Sequence, residues 1–410
     1  MRILYLNPLG VLGGAERSLL DLMTALKAAH PEWSLQLITG SDGPMLAQAR
    51  ASGLKASVLS IPPSIGAAGD AAAGGPAGDR VSVVRLLAQV SASLRGISSY
   101  TSQLANLIVE SRPHLVHANG FKMHIFAARG CPPGLPLVWH VHDYPSARAL
   151  MPWLLRAHAR RCSAVVANSE SVAADVRAVL AKRTRSIRVH TVHNAVDLER
   201  FAPCGPALDL DALVGLEPAA PGTLRVGLVA TMARWKGHEI FLQALAMLPR
   251  ELPIRGYVIG GPIYQTRHSQ YSLAELRTMA DQLGLGGRVG FMGFVEDSAS
   301  AIRALDLVVH ASTRPEPFGL AIAEAMACAK PVIASRGGGS AEFVLDNCNA
   351  LTFACGEAAH LSRQIARLAA SVELRERLGR RGRVTAEGSF TRPRMAEQMA
   401  EVYRSAGAAN

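Results

Sequence analysis

Short apolar runs alternate with longer amphipathic segments along most of the chain. An apolar run without polar alternation is typical of a strand buried on both faces of a parallel sheet, and the helical periodicity between runs indicates crossover helices. In the first half the predicted strands are 2–7, 35–39, 115–118, 137–142 and 164–168. In the second half they are 224–230, 255–259, 289–291, 307–310 and 332–334. The pattern predicts an α/β protein with two doubly wound parallel sheets.

The length and the composition of one segment divide the chain. Its 410 residues exceed one ordinary core and fit two domains of about 200 residues each. Residues 201–223 are rich in Pro, Gly, Ala and Leu without strong periodicity, which predicts a linker between Rossmann-like domains at 1–200 and 224–390. Residues 62–80 form a Gly/Ala/Pro-rich insert that is expected to be a mobile loop. The last segment, 391–410, has a helical pattern.

Composition and charge narrow the class of partner. The formal net charge of +11 favours anionic partners, whether a sugar nucleotide, an acidic lipid surface or nucleic acid. Aromatic residues make up only 5% and do not interleave with a basic stripe, so nucleic acid is not expected. The six cysteines form no C-x-x-C pair, and neither a disulfide framework nor a zinc site is predicted.

Location follows from the apolar runs and the first residues. No run reaches the ~18 uninterrupted apolar residues of a membrane span. The first residues lead directly into a predicted strand, so a secretory signal is not expected. A cytoplasmic location is therefore predicted, with peripheral contact to the anionic inner face of the membrane as a second expectation.

Two carboxylates flank a predicted helix start in the second half. Pro315 and Pro317 keep the backbone around Glu316 out of helical geometry, whereas the alanine-rich run behind it predicts a helix that contains Glu324. Carboxylates are good acceptors for hydroxyl groups. The ordinary alternative is a loop charge at Glu316 and a solvated helix residue at Glu324.

The same helix start offers backbone donors. The first N–H groups of a helix have no partner within it, and the positive end of the helix dipole favours anions such as phosphate. Here those groups belong to Phe318, Gly319 and Leu320. Together with the two glutamates, they predict a site for a ligand that carries both phosphates and hydroxyls, as a nucleotide-linked sugar does.

Other strand ends in both halves carry candidate ligand contacts. Arg234 and Lys236 follow the strand at 224–230, where two cations could neutralise a diphosphate, or could simply be solvated. Gly260 ends the strand at 255–259 and is expected to offer backbone contacts to the base or ribose. Gly13 and Gly14 follow the first strand and would let a ligand approach closely, although the G-x-G-x-x-G order of a dinucleotide site is missing.

Histidines and one asparagine follow two further strands of the first half. Alternation places His140 and His142 on one face of a strand, either as a metal pair or as ordinary core histidines, and only Asp143 stands close enough in sequence to complete a metal site. His117 and Asn119, with a lysine nearby, are candidates for contact with a second substrate. No metal site is predicted.

The spacing of Glu316 and Glu324 resembles the E-x7-E signature of the retaining glycosyltransferases of family 4, which have the GT-B fold. That family has two Rossmann-like domains that face a central cleft, and its C-terminal tail packs back on the first domain. In it, the first glutamate contacts hydroxyls of the donor sugar and the second contacts the nucleotide ribose. The resemblance assigns these roles to Glu316 and Glu324.

The resemblance extends to other motifs. Lys236 falls on the diphosphate lysine of the family's G-R-x-x-x-x-K-G segment, but Thr231 occupies the arginine position, and Arg234 is inferred to supply the second charge. Glu342 ends a turn similar to the family's G-G-x-x-E, close to the nucleotide. The alternative is an ordinary flexible turn that stops a strand.

In the first half, two family positions are matched. The segment from Gly13 to Glu16 is similar to the family's loop after the first strand, which implies that Gly14 contacts the donor phosphates. His142 matches the histidine that meets the donor sugar.

The resemblance implies transfer of a hexose from a nucleoside diphosphate sugar to a hydroxyl of a glycan, lipid or small molecule, with retention of configuration. No metal or other cofactor is expected, since the D-x-D triplet Asp209–Asp211 falls in the predicted linker. Two alternatives remain open. One is a nucleotide-sugar epimerase or phosphorylase of the same fold, and the other is a non-catalytic sugar-binding partner in glycan assembly.

Overall fold

The computed structural model of the chain describes residues 1–62, 94–181, 187–262 and 269–407. The insert predicted at 62–80 lies outside these residues apart from Pro62. The chain divides into two compact units, one of Met1–Ala195 with Arg392–Asn410 and one of Val196–Thr391.

The first unit contains a parallel sheet whose described strands number seven. In chain order the strands are β1 (Arg2–Asn7), β2 (Ser34–Thr39), β3 (Lys55–Val58), β4 (Leu115–Asn119), β5 (Leu137–Val141), β6 (Ala164–Ala167) and β7 (Arg188–Thr191). Across the sheet their order is β3-β2-β1-β4-β5-β6-β7. The order reverses between β1 and β4, and in an open α/β sheet the crevice beyond the carboxyl ends of two such strands is where ligands bind.

Helices cover both faces of this sheet. They are α1 (Gly14–Ala29), α2 (Pro44–Ala51), α3 (Leu94–Ser111), α4 (Phe121–Gly130), α5 (Met151–His158) and α6 (Glu170–Leu180). In β1, Ile3 and Tyr5 pack with α1 and α2, whereas Leu4 and Leu6 pack with α3 to α6. Both faces are buried, so the strand has a continuous apolar run rather than an alternating one.

The C-terminal helix also packs on the first unit. The last of the helices, numbered α14 below, spans Arg392–Ser405, and its Met399 and Tyr403 lie in the same core cluster as α1. Arg392 is ion-paired with Asp21 of α1. The Tyr403 hydroxyl lies 3.2 Å from the Tyr5 hydroxyl and 2.9 Å from Nδ1 of His117.

The second unit repeats the architecture with six described strands. They are β8 (Leu224–Val229), β9 (Ile254–Ile259), β10 (Val289–Gly293), β11 (Leu307–His310), β12 (Val332–Ser335) and β13 (Leu351–Phe353), in the order β10-β9-β8-β11-β12-β13. The helices are α7 (Leu210–Val214), α8 (His238–Ala246), α9 (Leu273–Gln282), α10 (Ser298–Arg303), α11 (Leu320–Ala327), α12 (Ala358–Ala369) and α13 (Val372–Ser389). Here the order reverses between β8 and β11. The predicted class, α/β with two Rossmann-like parallel-sheet domains, is confirmed.

Residues 201–223, predicted as a linker, lie within the second unit. Phe201 is 4% exposed and belongs to the core there. Asp209 caps α7 by accepting from the Ala212 N–H, and the buried Asp211 accepts from Arg255 of β9 at 2.6 Å. Both aspartates of the D-x-D triplet therefore hold α7 in place.

In the part of the chain that the structure describes, no helix is both long and apolar enough to cross a membrane. All six cysteines are free thiols.

Candidate active site

Glu316 lies beyond the carboxyl end of β11, at the reversal point of the second sheet. Its residue surface is only 7% exposed. The ammonium of Lys236, which follows β8, lies 2.9 Å from Oε1 and 2.7 Å from Oε2 of Glu316. The structure therefore brings together the sequence-predicted Glu316 and Lys236, 80 positions apart, in one buried ion pair.

Two residues that the sequence analysis did not single out complete this cluster. Nε2 of His310, the last residue of β11, lies 2.9 Å from Oε2 of Glu316, and the Ser312 hydroxyl donates to the same oxygen at 2.9 Å. Since a carboxylate only accepts, Nε2 of His310 carries the hydrogen. The signal in the sequence was the His-x-Ser pattern at the end of an apolar strand.

The electrostatic balance keeps Glu316 ionised. Burial raises the pKa of its carboxyl, but the Lys236 charge and the hydrogen bond from His310 lower it by more. The resulting pKa lies well below the usual range of a glutamate. A carboxylate that is both buried and anionic depends on its cation, because an unpaired buried charge is strongly unfavourable. Loss of the ion pair is therefore expected to destabilise the local fold.

A glycine turn fixes the backbone of Glu316. The Gly339 N–H donates to the Glu316 carbonyl at 2.7 Å, and Gly338 forms a bridge with Glu316. Gly338 has φ +72°, and a Cβ there would lie 2.3 Å from the Glu316 carbonyl oxygen. Only glycine allows this close approach.

A second close approach positions Lys236. Lys236 ends a 3-10 turn, Arg234–Lys236, and is followed by Gly237 with φ +77°. A Cβ on Gly237 would lie 1.8 Å from the carbonyl oxygen of Ala311, so this turn packs directly against the loop after β11. The Thr313 N–H also donates to the Trp235 carbonyl at 2.7 Å. Two loops that carry opposite charges are therefore held together by their backbones.

Arg234 lies outside the Glu316 cluster. Its guanidinium donates to Glu275 at 2.7 Å and lies 4.3 Å above the Tyr271 ring. Part of its charge is therefore balanced by Glu275. Its assignment as the second diphosphate cation stays a prediction.

The helix begins two residues after the first of the predicted donors. Helix α11 begins at Leu320, with Gly319 as its N-cap at φ +96°. Phe318 is 2% exposed, and its ring packs against Phe343 and Phe390 with centroids 5.4 and 5.5 Å away. Phe318 thus anchors the loop in the core, and the helical donors begin at Leu320.

The remaining predicted residues of the second unit are spread over three elements. Glu324 is half-buried in α11. Glu342 is exposed at the end of the 3-10 turn Gly339–Glu342. Gly260 directly follows β9, and its N–H donates to the Gly293 carbonyl at 2.8 Å.

In the first unit, the glycine loop leads into α1. Gly13 is the N-cap, and its N–H donates to Oε2 of the buried Glu16 at 3.1 Å. Burial raises the pKa of Glu16. Gly14 is the first helical residue, and a Cβ added there would meet no atom within 4 Å. Local packing therefore does not require glycine at position 14.

His142 lies just beyond β5 and belongs to a chain of polar side chains. Its Nε2 lies 2.7 Å from Oδ1 of Asn119, and Nδ2 of Asn119 donates to Oδ1 of Asn7 at 2.7 Å. Burial lowers the pKa of His142 to about 4, so its imidazole is neutral at pH 7. Asn7 and Asn119 end β1 and β4, the two strands at the reversal point of the first sheet.

The His140 and His142 rings pack with centroids 4.0 Å apart. Among the residues that are described, no group of three or more His, Cys, Asp or Glu side chains is arranged to hold a metal ion. The alternative of a histidine metal pair therefore finds no ligand set.

Two protein-family models match successive parts of this chain. Residues 12–200 match the model described as "Glycosyltransferase Family 4", and residues 218–385 match the model "Glycosyl transferases group 1". The chain belongs to the GT-B glycosyltransferases of the family 4 type.

Curated relatives match part of their own length. A "Putative glycosyltransferase EpsD" from Bacillus subtilis (strain 168) is 29% identical over 219 residues, which is 53% of this chain and 54% of that protein. A "D-inositol 3-phosphate glycosyltransferase" from Mycobacterium sp. (strain KMS) is 37% identical over 154 residues, which is 37% of this chain and 33% of that protein. The chain thus matches from a third to about half the length of these relatives.

Solved structures resemble the chain over nearly its whole length. The crystal structure of Anabaena Alr3699/HepE in complex with UDP-glucose gives a TM-score of 0.76 at 25% identity and covers 99% of this chain and 100% of that one. A glycosyltransferase from Rickettsia africae ESF-5 gives a TM-score of 0.75 at 17% identity and covers 99% and 98%. At 17% identity the second likeness concerns the fold.

Proposed function

We propose that this chain is a retaining glycosyltransferase that moves a hexose from a nucleoside diphosphate sugar to an acceptor hydroxyl. The observation that carries the proposal is the buried cluster of Glu316, Lys236 and His310 at the reversal point of the second sheet. The family membership and the UDP-glucose complex of HepE support a nucleotide-sugar donor. The acceptor is a glycan, a lipid-linked sugar or a small molecule.

The donor site would use three kinds of group. Lys236 and the N–H groups at the start of α11 would bind the diphosphate and stabilise its charge as it leaves. The ionised Glu316 would accept hydrogen bonds from hydroxyls of the sugar, and Glu324 would accept from the ribose. Gly14 and His142 of the first unit, with Gly260, Glu342 and Arg234 of the second, are proposed as further donor contacts.

The geometry of Glu316 favours a mechanism without a covalent intermediate. Lys236, His310 and Ser312 all donate to its Oε2, and its pKa is lowered. A carboxylate stabilised in this way is a weak nucleophile. We therefore propose a same-face displacement in which an oxygen of the departing diphosphate takes the proton of the acceptor hydroxyl. A glycosyl adduct trapped on a side chain would count against it.

Calorimetry with several nucleoside diphosphate sugars, followed by turnover in a pool of acceptors, tests the proposal. We expect one donor to bind and to yield a glycosylated product whose anomeric configuration, read by NMR, matches that of the donor. Release of an altered nucleotide sugar without acceptor would instead indicate an epimerase. If no nucleotide sugar binds, both enzymatic functions fail, and a non-catalytic sugar-binding role takes their place.

Independence of metal and cofactor is part of the proposal. Cations and a helix start would stabilise the leaving diphosphate without Mg²⁺. Transfer should therefore survive dialysis against a chelator, with the same enzyme supplemented with Mg²⁺ or Mn²⁺ as the matched control. Loss of transfer that either metal restores would contradict it.

A further inference from the structure

The hydrogen bonds that link Asn7 to Asn119 and Asn119 to His142 have a defined donor and a defined acceptor. The oxygen and nitrogen of an asparagine amide are hard to tell apart, so the orientation must be derived from the partners. Nδ2 of Asn7 lies 2.6 Å from the Leu9 carbonyl oxygen and 3.5 Å from the sulfur of Met45. Both partners only accept hydrogen bonds. Asn7 must therefore present its amide nitrogen to them and its Oδ1 to Asn119.

The orientation of Asn7 determines that of Asn119, which in turn determines which nitrogen of His142 carries a hydrogen. Because Oδ1 of Asn7 accepts, Asn119 donates through Nδ2 at 2.7 Å, and its own Oδ1 is left to face the imidazole. An amide oxygen only accepts, so the ring nitrogen Nε2 of His142, 2.7 Å away, must carry a hydrogen. In the neutral ring the lone pair then lies on Nδ1.

Nδ1 of His142 is buried and has no hydrogen-bond partner among the described residues. A buried acceptor without a partner is unfavourable, so a hydrogen-bond donor from a substrate or a water molecule is expected to pair with it. The side chains of Asn7, Asn119 and His142 are called the relay below. The relay begins at the reversal point of the first sheet, where ligands bind in open α/β sheets.

We infer that Asn7 and Asn119 are positioning residues that hold His142 in the Nε2–H tautomer, so that Nδ1 serves as a hydrogen-bond acceptor for a hydroxyl of the substrate. The inference deepens the proposed function and rests on it for the identity of the hydroxyl. The tautomer itself rests on the hydrogen-bond geometry within the first unit.

The surroundings of the relay keep the ring neutral. The titratable and charged side chains around it are the imidazoles of His117, His124 and His140 on β4, α4 and β5, the Glu16 carboxyl on α1, and Asp143, which is paired with Arg148. Burial lowers the pKa of each of these three imidazoles and raises that of Glu16. None of the three imidazoles therefore contributes positive charge at pH 7, and His142 can act as an acceptor across the neutral range.

The tautomer can be read directly from the ¹⁵N chemical shifts of the His142 ring in the full chain at pH 7. We expect a protonated Nε2 and an unprotonated Nδ1. Asn119→Leu removes the acceptor and should mix the tautomers, whereas Asn168→Leu is the matched control, because Asn168 contacts His142 only through its main-chain carbonyl, at 3.4 Å. A protonated Nδ1 in the wild-type chain would overturn the inference.

Kinetics test the role of this tautomer, with UDP release from UDP-glucose as the probe. Asn119→Asp keeps an acceptor next to Nε2, but it removes the donor to Asn7 and adds a negative charge, which favours the imidazolium and turns Nδ1 into a donor. The acid limb of the kcat/KM profile should move up by about one pH unit or more, and Asn119→Leu should lower kcat by about tenfold. A wild-type profile in Asn119→Asp would overturn the role. If the wild-type chain releases no UDP, the proposed function fails, while the ring spectrum still decides the tautomer.

Discussion

The two units build opposite kinds of polar centre at the same topological position. In the second unit, strand ends at the β8/β11 reversal bring together a cation and an anion, Lys236 and Glu316, in a buried ion pair. In the first unit, the strand ends at the β1/β4 reversal bring together two amides, and a neutral imidazole from just beyond the adjacent β5 bonds to one of them. The comparison teaches that the sheet order sets where a site lies, and the few residues at the strand ends set its chemistry.

The difference has a physical consequence for binding. A charged centre can stabilise a diphosphate and orient hydroxyls, because its groups carry full charges in a poorly hydrated place. A neutral relay adds no charge and fixes only the direction of hydrogen bonds. Its contribution is therefore expected in the orientation of a substrate more than in the affinity for phosphate.

Removal of the cation should give the largest effect. Lys236→Met leaves the Glu316 carboxylate buried without its charge partner, which should destabilise the second unit by about 3–5 kcal/mol in urea unfolding. Transfer should fall about 100-fold or more, since a charge that stabilises the leaving diphosphate is lost.

The double variant Lys236→Met/Glu316→Gln is the matched control for this prediction. It removes both charges, so stability should largely return while transfer stays low. Equal stability of Lys236→Met and the wild type would mean that the ion pair is not a structural requirement, and the contrast between the units would weaken.

Mild acid should destabilise the two units to different extents. Burial lowers the pKa of His117 and His124 to about 3 and that of His142 to about 4, from 6.5. Because these pKa values are lower in the folded chain than in the unfolded one, the contribution of these groups to the stability of the first unit is complete above pH 6.5. It falls as the pH drops below 6.5, by about 1.4 kcal/mol per pH unit for each histidine. The lowered pKa of Glu316 stabilises the second unit above its usual value of 4.5, and this contribution is lost below 4.5. The second unit also contains the buried His238, whose pKa burial lowers to about 4, so this unit too loses stability below pH 6.5, but through fewer histidines than the first unit.

Hydrogen exchange followed by mass spectrometry at pH 7.5 and 5.5, corrected for the intrinsic rate, resolves the units. Between pH 6.5 and 4.5 the protection of β4 and β5 should fall more steeply than that of β8 and β11, because three buried histidines with lowered pKa values act in the first unit and His238 in the second. Nε2 of His124 lies 3.0 Å from the His140 carbonyl oxygen. The variant His124→Asn keeps a donor for this carbonyl but removes one titrating imidazole, so the protection of β4 and β5 should depend less steeply on pH. An equal loss of protection in both units would refute the contrast.

A backbone change should disturb the charged centre alone. Gly338→Ala forces a Cβ to within 2.3 Å of the Glu316 carbonyl oxygen at φ +72°, and we expect about 1–3 kcal/mol of destabilisation and a weaker donor affinity. Gly337→Ala is the matched control, because its φ is also positive, at +120°, but its Cβ would meet no atom within 4 Å. If both variants bind the donor equally, the close contact between Gly338 and the Glu316 carbonyl oxygen does not determine the position of Glu316.

The central strands of both sheets could be predicted, because strands covered on both faces have continuous apolar runs. The prediction missed β3, β7 and β13, which are edge strands of three or four residues. Strands β3 and β7 are partly exposed, so their sequences lack that signal, and β13 is too short to give one.

The candidate site divides in a similar way. Glu316 and Lys236 stood out because of a motif and a charge at a strand end. His310 and Ser312 were missed although they lie within six residues of Glu316, whereas Asn7 was missed because its importance depends on which strands are neighbours. The Asn7 and Asn119 side chains meet although they lie 112 residues apart. Only the sheet order places the ends of β1 and β4 side by side, and no local pattern encodes that contact.

Gly14→Ala should give the smallest change in stability and the cleanest test of the first unit's part in donor binding. Position 14 is helical and open, so alanine should leave stability unchanged or raise it by up to about 1 kcal/mol. If the donor phosphates approach this helix start, the added methyl group should raise KM for the donor and leave unfolding unaffected. Arg17→Ala, one turn further along α1, is the control for a general change in the helix. An unchanged KM would restrict the phosphate contacts to the charged centre of the second unit, and the two centres would then differ in ligand as well as in chemistry.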